Sequence, residues 1–156
     1  MFNIREFSRA QLKPRTKALE IPALAPWSGG EAPTIEVRGL TGQELARVRE
    51  AVEKHRNIAK LLEAAVGGSD KEKITAVREM YGIADGLPED FAKRIEMLTI
   101  GVVSPEMDLE TCLKFATAFP VEFYSITGTI TELTGMGHVV PGKPAPSTVT
   151  AEFGQP

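Results

Sequence analysis

The chain has little of what catalysis requires. It carries one cysteine, Cys112, and two histidines, His55 and His138, far apart in sequence. A lone cysteine excludes an intrachain disulfide and is in keeping with a reducing compartment. Cys112 falls beside Leu109, Leu113 and Ala116 at helical spacing, which reads as a buried inert thiol, not an exposed nucleophile. His55 sits in a helix seam, and His138 has no ligand partner at helical or turn spacing. No stretch approaches the roughly 20 apolar residues of a membrane span. Met1 to Arg9 is interrupted by Arg5, Glu6 and Arg9, so it lacks the apolar centre of a signal peptide. The expectation is a protein that stays in the cytoplasm where it is made.

Charge is equally unspecific. A net charge of −3 argues against nucleic-acid binding driven by bulk charge, which needs a basic surface. Arg5, Arg9, Lys13, Arg15 and Lys17 make the N-terminal segment locally basic, and a solvated segment explains them. The local acid clusters are Glu89-Asp90 and Glu106/Asp108/Glu110. Acids in a first helical turn complement the helix dipole, which accounts for both without a metal or an acid–base pair. Gly128, in Thr127-Gly-Thr129, is not followed by the Lys-Ser/Thr of a phosphate loop. Its expected use is to let a neighbouring helix approach. No enzyme, cofactor or metal is expected.

What the chain does have is helical period. At 42% hydrophobic and 156 residues it can bury one core. The expected fold is mainly α: a small helical domain of about five helices with an N-terminal β-ribbon and a flexible C-terminal tail. Residues 1–16 form the basic N-terminal segment, 17–137 the domain, and 138–156 a Pro/Gly-rich tail. Phe2 to Leu12 allows a short helix that Pro14 limits. The ribbon pairs 17–22 with 34–38 across a loop whose Pro26, Gly29, Gly30 and Pro33 are turn chemistry. An isolated ribbon is marginal in water, so it should lie on helices or on another subunit.

Thr41-x-x-Glu44 is a capping box, opening a helix near 42–66 with Leu45, Val48, Val52, Ala59, Leu62 and Val66 in its seam and Gly67-Gly68 at its end. Ser69 to Glu72 is a second box, opening a helix with Ile74, Val77 and Tyr81 inward. Pro88 suits a first turn, and Phe91, Ile95, Leu98 and Val102 recur at helical spacing. Asp108 should cap the next helix, with Leu109, Cys112, Leu113, Ala116 and Phe119 on one side. Pro120 starts the last helix, with Phe123, Ile126, Thr127, Ile130 and Leu133 inward and Gly135 or Gly137 as terminators.

The aromatics Phe115, Phe119, Phe123 and Tyr124 cluster at the junction of these last two helices. Packing accounts for most of them. Phe115, however, is off the Leu109–Phe119 face and Tyr124 is next to inward Phe123, so the group is the candidate partner-binding region.

Three stretches carry a resemblance. Val37-Arg-Gly-Leu-Thr-Gly-Gln-Glu44 is an extended entry to a charged helix. Ile100-Gly-Val-Val103 precedes a turn, and Leu133-Thr-Gly-Met-Gly137 closes two short apolar helices. Over about residues 17–137 this order resembles the tail assembly chaperones of long-tailed bacteriophages, although the long loop 25–33 departs from the pattern.

The resemblance implies a non-enzymatic protein of the host cell cytoplasm. Such a protein binds and solubilises the tape measure protein during tail assembly and is absent from the mature virion. It also implies the shorter of two products, the longer arising by ribosomal frameshifting and contacting the major tail tube protein. Pro141-Gly142-Lys143 can be encoded CCG-GGA-AAG, which contains the slippery heptamer GGGAAAG. Self-association is a further option. The alternative is another phage morphogenesis or adaptor protein that remains in the virion. A third, an enzyme with a dispersed site, would need a deep polar pocket with converging ionisable groups.

Overall fold

The computed structural model describes residues 1–51, 53 and 89–141. In chain order these form α1 (Ile4–Arg9), β1 (Thr16–Glu20), a 3₁₀ segment (Pro22–Trp27) and β2 (Thr34–Arg38). A helix, α2, covers residues 42–51 and 53. Then follow α3 (Glu89–Gly101), β3 (Val102–Ser104), α4 (Leu109–Ala118) and α5 (Pro120–Gly135). The described chain is mainly helical around one small antiparallel sheet.

The expected ribbon is present, antiparallel and in register from Thr16 opposite Arg38 to Glu20 opposite Thr34. It is not a two-stranded ribbon, however. β3 pairs with the other edge of β2, giving the order β1-β2-β3 with a register irregularity between Glu36 and Val37. Val102, expected on a helix face, opens this third strand. Strand pairing supplies partners for β2's second row of backbone groups. Alternation along β2 then sends Ile35 and Val37 into the core, Val37 with no exposure at all.

The motif at 37–44 is held by named contacts. Thr41 Oγ1 accepts from the Glu44 amide at 3.1 Å, and Glu44 accepts from the Thr41 amide at 2.8 Å, closing the capping box. Arg38, on the last residue of β2, grips the same carboxylate with two nitrogens, at 2.9 and 2.7 Å. This fork fixes the angle at which the strand becomes a helix. The Leu40 amide donates to Thr134 Oγ1 at 2.9 Å. A Cβ on Gly39 would lie 3.0 Å from the backbone C and O of Leu133, so β2 runs directly against α5 here. Gly101 plays the same part between α3 and the Ile130 side chain, where a Cβ would come within 2.7 Å. Gly128, given this role on sequence grounds, is exposed with open space around it; α5 turns that position to solvent.

The core lies between the sheet and the helices. β2, α3, α4 and α5 contribute Val37, Ile95, Leu98, Cys112, Phe123 and Ile126, each 1% exposed or less. Leu45, Val48 and Ala51 bring α2 onto the same core. Arg47 reaches the buried Glu96 carboxylate of α3 at 3.9 Å, tying α2 to α3. Asp108 caps α4 by accepting from the Thr111 amide at 2.8 Å. Phe119 alone separates α4 from α5, with Pro120 at the first helical position and Gly137 in the left-handed region after the end.

The tail expected from 138 begins with an anchored stretch. Lys13 and Val139 exchange two backbone hydrogen bonds of 2.8 Å, a single antiparallel bridge. The later seam of α2 (Val52, His55, Ala59, Leu62, Val66), the second capping box, the helix through Ile74, Val77 and Tyr81, Pro88, and the tail from 142 lie outside the described residues.

Candidate binding groove

The four aromatics proposed from sequence do not form one surface. Phe115 is 6% exposed and Phe123 is fully buried, whereas Phe119 is half-buried and Tyr124 is 46% exposed. Phe115 was expected off the packed face of α4. It belongs instead to the buried core cluster, and it shares the groove lining with Leu24 and Ile35. Phe123 packs on Phe91 of α3 at 5.5 Å between ring centroids. Tyr124 is open to solvent at one face only, since the Arg94 guanidinium lies 4.7 Å from its ring centroid. Arg94 also bonds Thr127 Oγ1 at 2.7 Å and Asp90 at 2.9 Å, so Tyr124 belongs to a seam locking α3 to α5.

Phe115 and Phe119, 5.7 Å apart, instead line a groove that the linear sequence conceals. The loop that supplies part of it is closed at its neck by Ile21, which is buried and donates its N–H to the Pro33 carbonyl at 2.9 Å. Pro22 and Pro26 favour the tight 3₁₀ turns between them, and the amides of Ser28 and Gly30 both bond the Ala25 carbonyl at 3.0 Å. Gly29 and Gly30 have φ of 69° and 94°, a left-handed reversal available to glycine at little cost. Ala23 and Leu24 are thereby pressed on the core, while Trp27 stands out at 74% exposure. The indole meets Phe119 edge-to-face at 5.7 Å.

The result is an open recess of about 580 Å³. Leu24, Trp27, Pro33, Ile35, Pro105, Met107, Phe115 and Phe119 supply its apolar lining. Ser28, Thr111, Glu106 and Lys114 supply polar groups. Glu106, Met107 and Thr111 also border a second cleft, which the exposed Asp108 lines. Hydrogen bonds from Thr111 hold the Asp108 carboxyl below its usual range. An apolar recess with a sparse polar border can seat a hydrophobic side chain and orient its flanks.

Other chemistry-bearing residues are placed structurally. Cys112 is fully buried, and burial pushes its thiol above the ordinary value. His138 follows the helix-ending glycines, and His55 lies outside the described residues. Among the described residues, no group of three His, Cys, Asp or Glu is placed to hold a metal ion, and no helix is long and apolar enough to cross a membrane. Sequence reading missed Trp27, Leu24, Pro105 and Met107. The available signal was a large aromatic stranded among turn-forming residues, Pro26-Trp-Ser-Gly-Gly30. Comparison with protein-family models, curated proteins and solved structures finds no match to this chain.

Proposed function

We propose that this chain is a tail assembly chaperone of a long-tailed bacteriophage. It holds apolar stretches of the tape measure protein in solution until tube protein polymerises around them, and it acts by binding alone. The observation that carries the reading is the groove: a recess of about 580 Å³ lined in part by a tryptophan left 74% exposed. Covering roughly 150 Å² of indole surface stabilises a complex by about 3–4 kcal/mol before ordering costs are subtracted. That suits a client held firmly enough to stay soluble and loosely enough to be handed over. The resemblance over residues 17–137 supplies the identity of the client. A long amphipathic chain awaiting assembly exposes the apolar surface that such a groove covers.

Co-expression tests this. The tape measure protein of the same phage should be soluble with the wild-type chain and aggregate with Trp27→Lys, a variant at an exposed position that should keep the fold. Equal solubility with wild type, with Trp27→Lys and with neither would overturn the proposal. Recovery of the chain in purified virions would also overturn it, in favour of a structural component.

A further inference from the structure

The N-terminal segment carries apolar surface that the described residues leave uncovered. α1 is six residues long and none of them is buried. Phe2, Ile4 and Phe7 are 68%, 64% and 52% exposed. Helical spacing sets Ile4 and Phe7 side by side, and the Phe2 ring joins them, 5.4 Å from that of Phe7. The opposite side of the helix holds Arg5 and Arg9, four residues apart, with Glu6 beside them. A helix this short is not stable alone in water. Asn3 caps it by accepting from the Glu6 amide at 3.2 Å, but one cap does not replace packing.

Charge is concentrated in the same stretch. Five basic residues and one acid sit in the first 17 residues, so a chain of net charge −3 carries +4 there and −7 in the remainder. The apolar side and the basic side together select a partner. A nucleic acid answers the charge but gains little from Ile4, an aliphatic chain with no ring to stack on a base. An anionic bilayer answers both. Acyl chains take up the apolar side, and arginine stems reach along it to set their guanidiniums among the lipid phosphates.

We infer that residues 2–13 bind the surface of an anionic phospholipid bilayer, with Phe2, Ile4 and Phe7 in the outer acyl region and Arg5, Arg9 and Lys13 at the phosphates. The segment lies on the bilayer and does not span it. Its base is tied to the domain by the two backbone hydrogen bonds between Lys13 and Val139. The remainder of the chain, at −7, is repelled by the same surface, so attachment runs through this segment alone. Neither the few apolar side chains nor the basic groups suffice by themselves; the two signals act jointly, and salt screens the second. None of these residues lines the groove, so the contact stands apart from the proposed client site.

Flotation of the full chain with vesicles tests this, comparing equimolar phosphatidylglycerol and phosphatidylcholine with phosphatidylcholine alone. The wild type should float with the anionic vesicles at low salt, stay behind with the neutral ones, and be released by high salt. Phe2→Ser/Phe7→Ser and Arg5→Glu/Arg9→Glu should each lower partitioning at least about tenfold, since one Lys or Arg near such a surface changes it about fivefold. Both variants should keep the fold, which circular dichroism checks, because α1 contributes no buried residue. Trp27→Lys, with the segment intact, should float at least as well as wild type. No flotation at low salt, equal flotation with neutral vesicles, or a double variant that floats like wild type would each overturn the inference. Loss of flotation in Trp27→Lys would also overturn it, by moving the contact to the groove. A single-stranded oligonucleotide that draws the wild type off the vesicles would make nucleic acid the partner and refute the lipid assignment.

Discussion

Replacing Glu44 by glutamine removes a charge from the joint between β2 and α2 while keeping its shape. The carboxylate accepts two bonds from Arg38 and one from the Thr41 amide. The Arg38 hydrogen bond, with the bond from Thr41, brings its pKa from 4.5 down to about 2. If fully realised, that drop is worth about 3 kcal/mol of stability by linkage. The side chain keeps 19% of its exposure and Arg38 23%, so solvent screening reduces the figure to about 1–2 kcal/mol.

The sign follows from the depressed value. The contribution is present in full above the unfolded pKa near 4.5 and is lost as pH falls through about 2, with more than half gone at about pH 3. Urea unfolding of wild type and Glu44→Gln at pH 7 and pH 3 measures it. The variant should be less stable at pH 7 by the stated amount, and the gap should shrink by at least half at pH 3. A gap independent of pH would refute the ion-pair account and leave only the cap. No gap at pH 7 would refute both.

The remaining predictions concern packing and coding. Gly39→Ala should cost about 2–3 kcal/mol in the same assay, because the new methyl meets helix backbone at 3.0 Å that cannot rotate away. Gly128→Ala should stabilise by about 0.5–1 kcal/mol, since α5 has open space there and alanine favours a helix interior; destabilisation would restore the close-approach role. Cys112→Ala should cost about 1–2 kcal/mol and leave client solubility intact, and loss of phage production with a folded, abundant variant would contradict the inert-thiol reading. Codons 141–143 should contain the slippery heptamer, and infected cells should yield a longer product sharing residues 1–141. Absence of both would exclude slippage at this site.

Local signals in the sequence were legible and distant ones were not. The capping box at Thr41–Glu44, the Asp108 cap and Pro120 at a helix start each depend on residues within one turn. The spacing of Phe123, Ile126, Thr127, Ile130 and Leu133 reproduces the buried face of α5. The ribbon was readable because Thr34, Ile35 and Val37 make an extended run bounded by the turn-formers Pro26, Gly29, Gly30 and Pro33. β3 was not, since Val102 also fits the helical spacing of Phe91, Ile95 and Leu98, and only pairing with β2, far away in sequence, decides between them. The groove was hidden for a related reason. Phe115 looks surplus on α4 because its neighbours in the groove lining, Leu24, Trp27, Pro33 and Ile35, come from a segment far away in sequence. Arg38 reads as one more charge until the structure aims it at Glu44.

Trp27 is the chain's only tryptophan and stands at the groove, so its fluorescence reports on occupancy directly. The decisive measurement is titration of the full chain with peptides tiling the tape measure protein of the same phage, reading the indole emission. A subset of apolar segments should shift the emission to the blue in a saturable manner, and Phe115→Ser should weaken that binding if circular dichroism shows the variant folded. Peptides that leave the emission unchanged up to their solubility limit, while the chain remains folded, would contradict the claim that this groove is the client site.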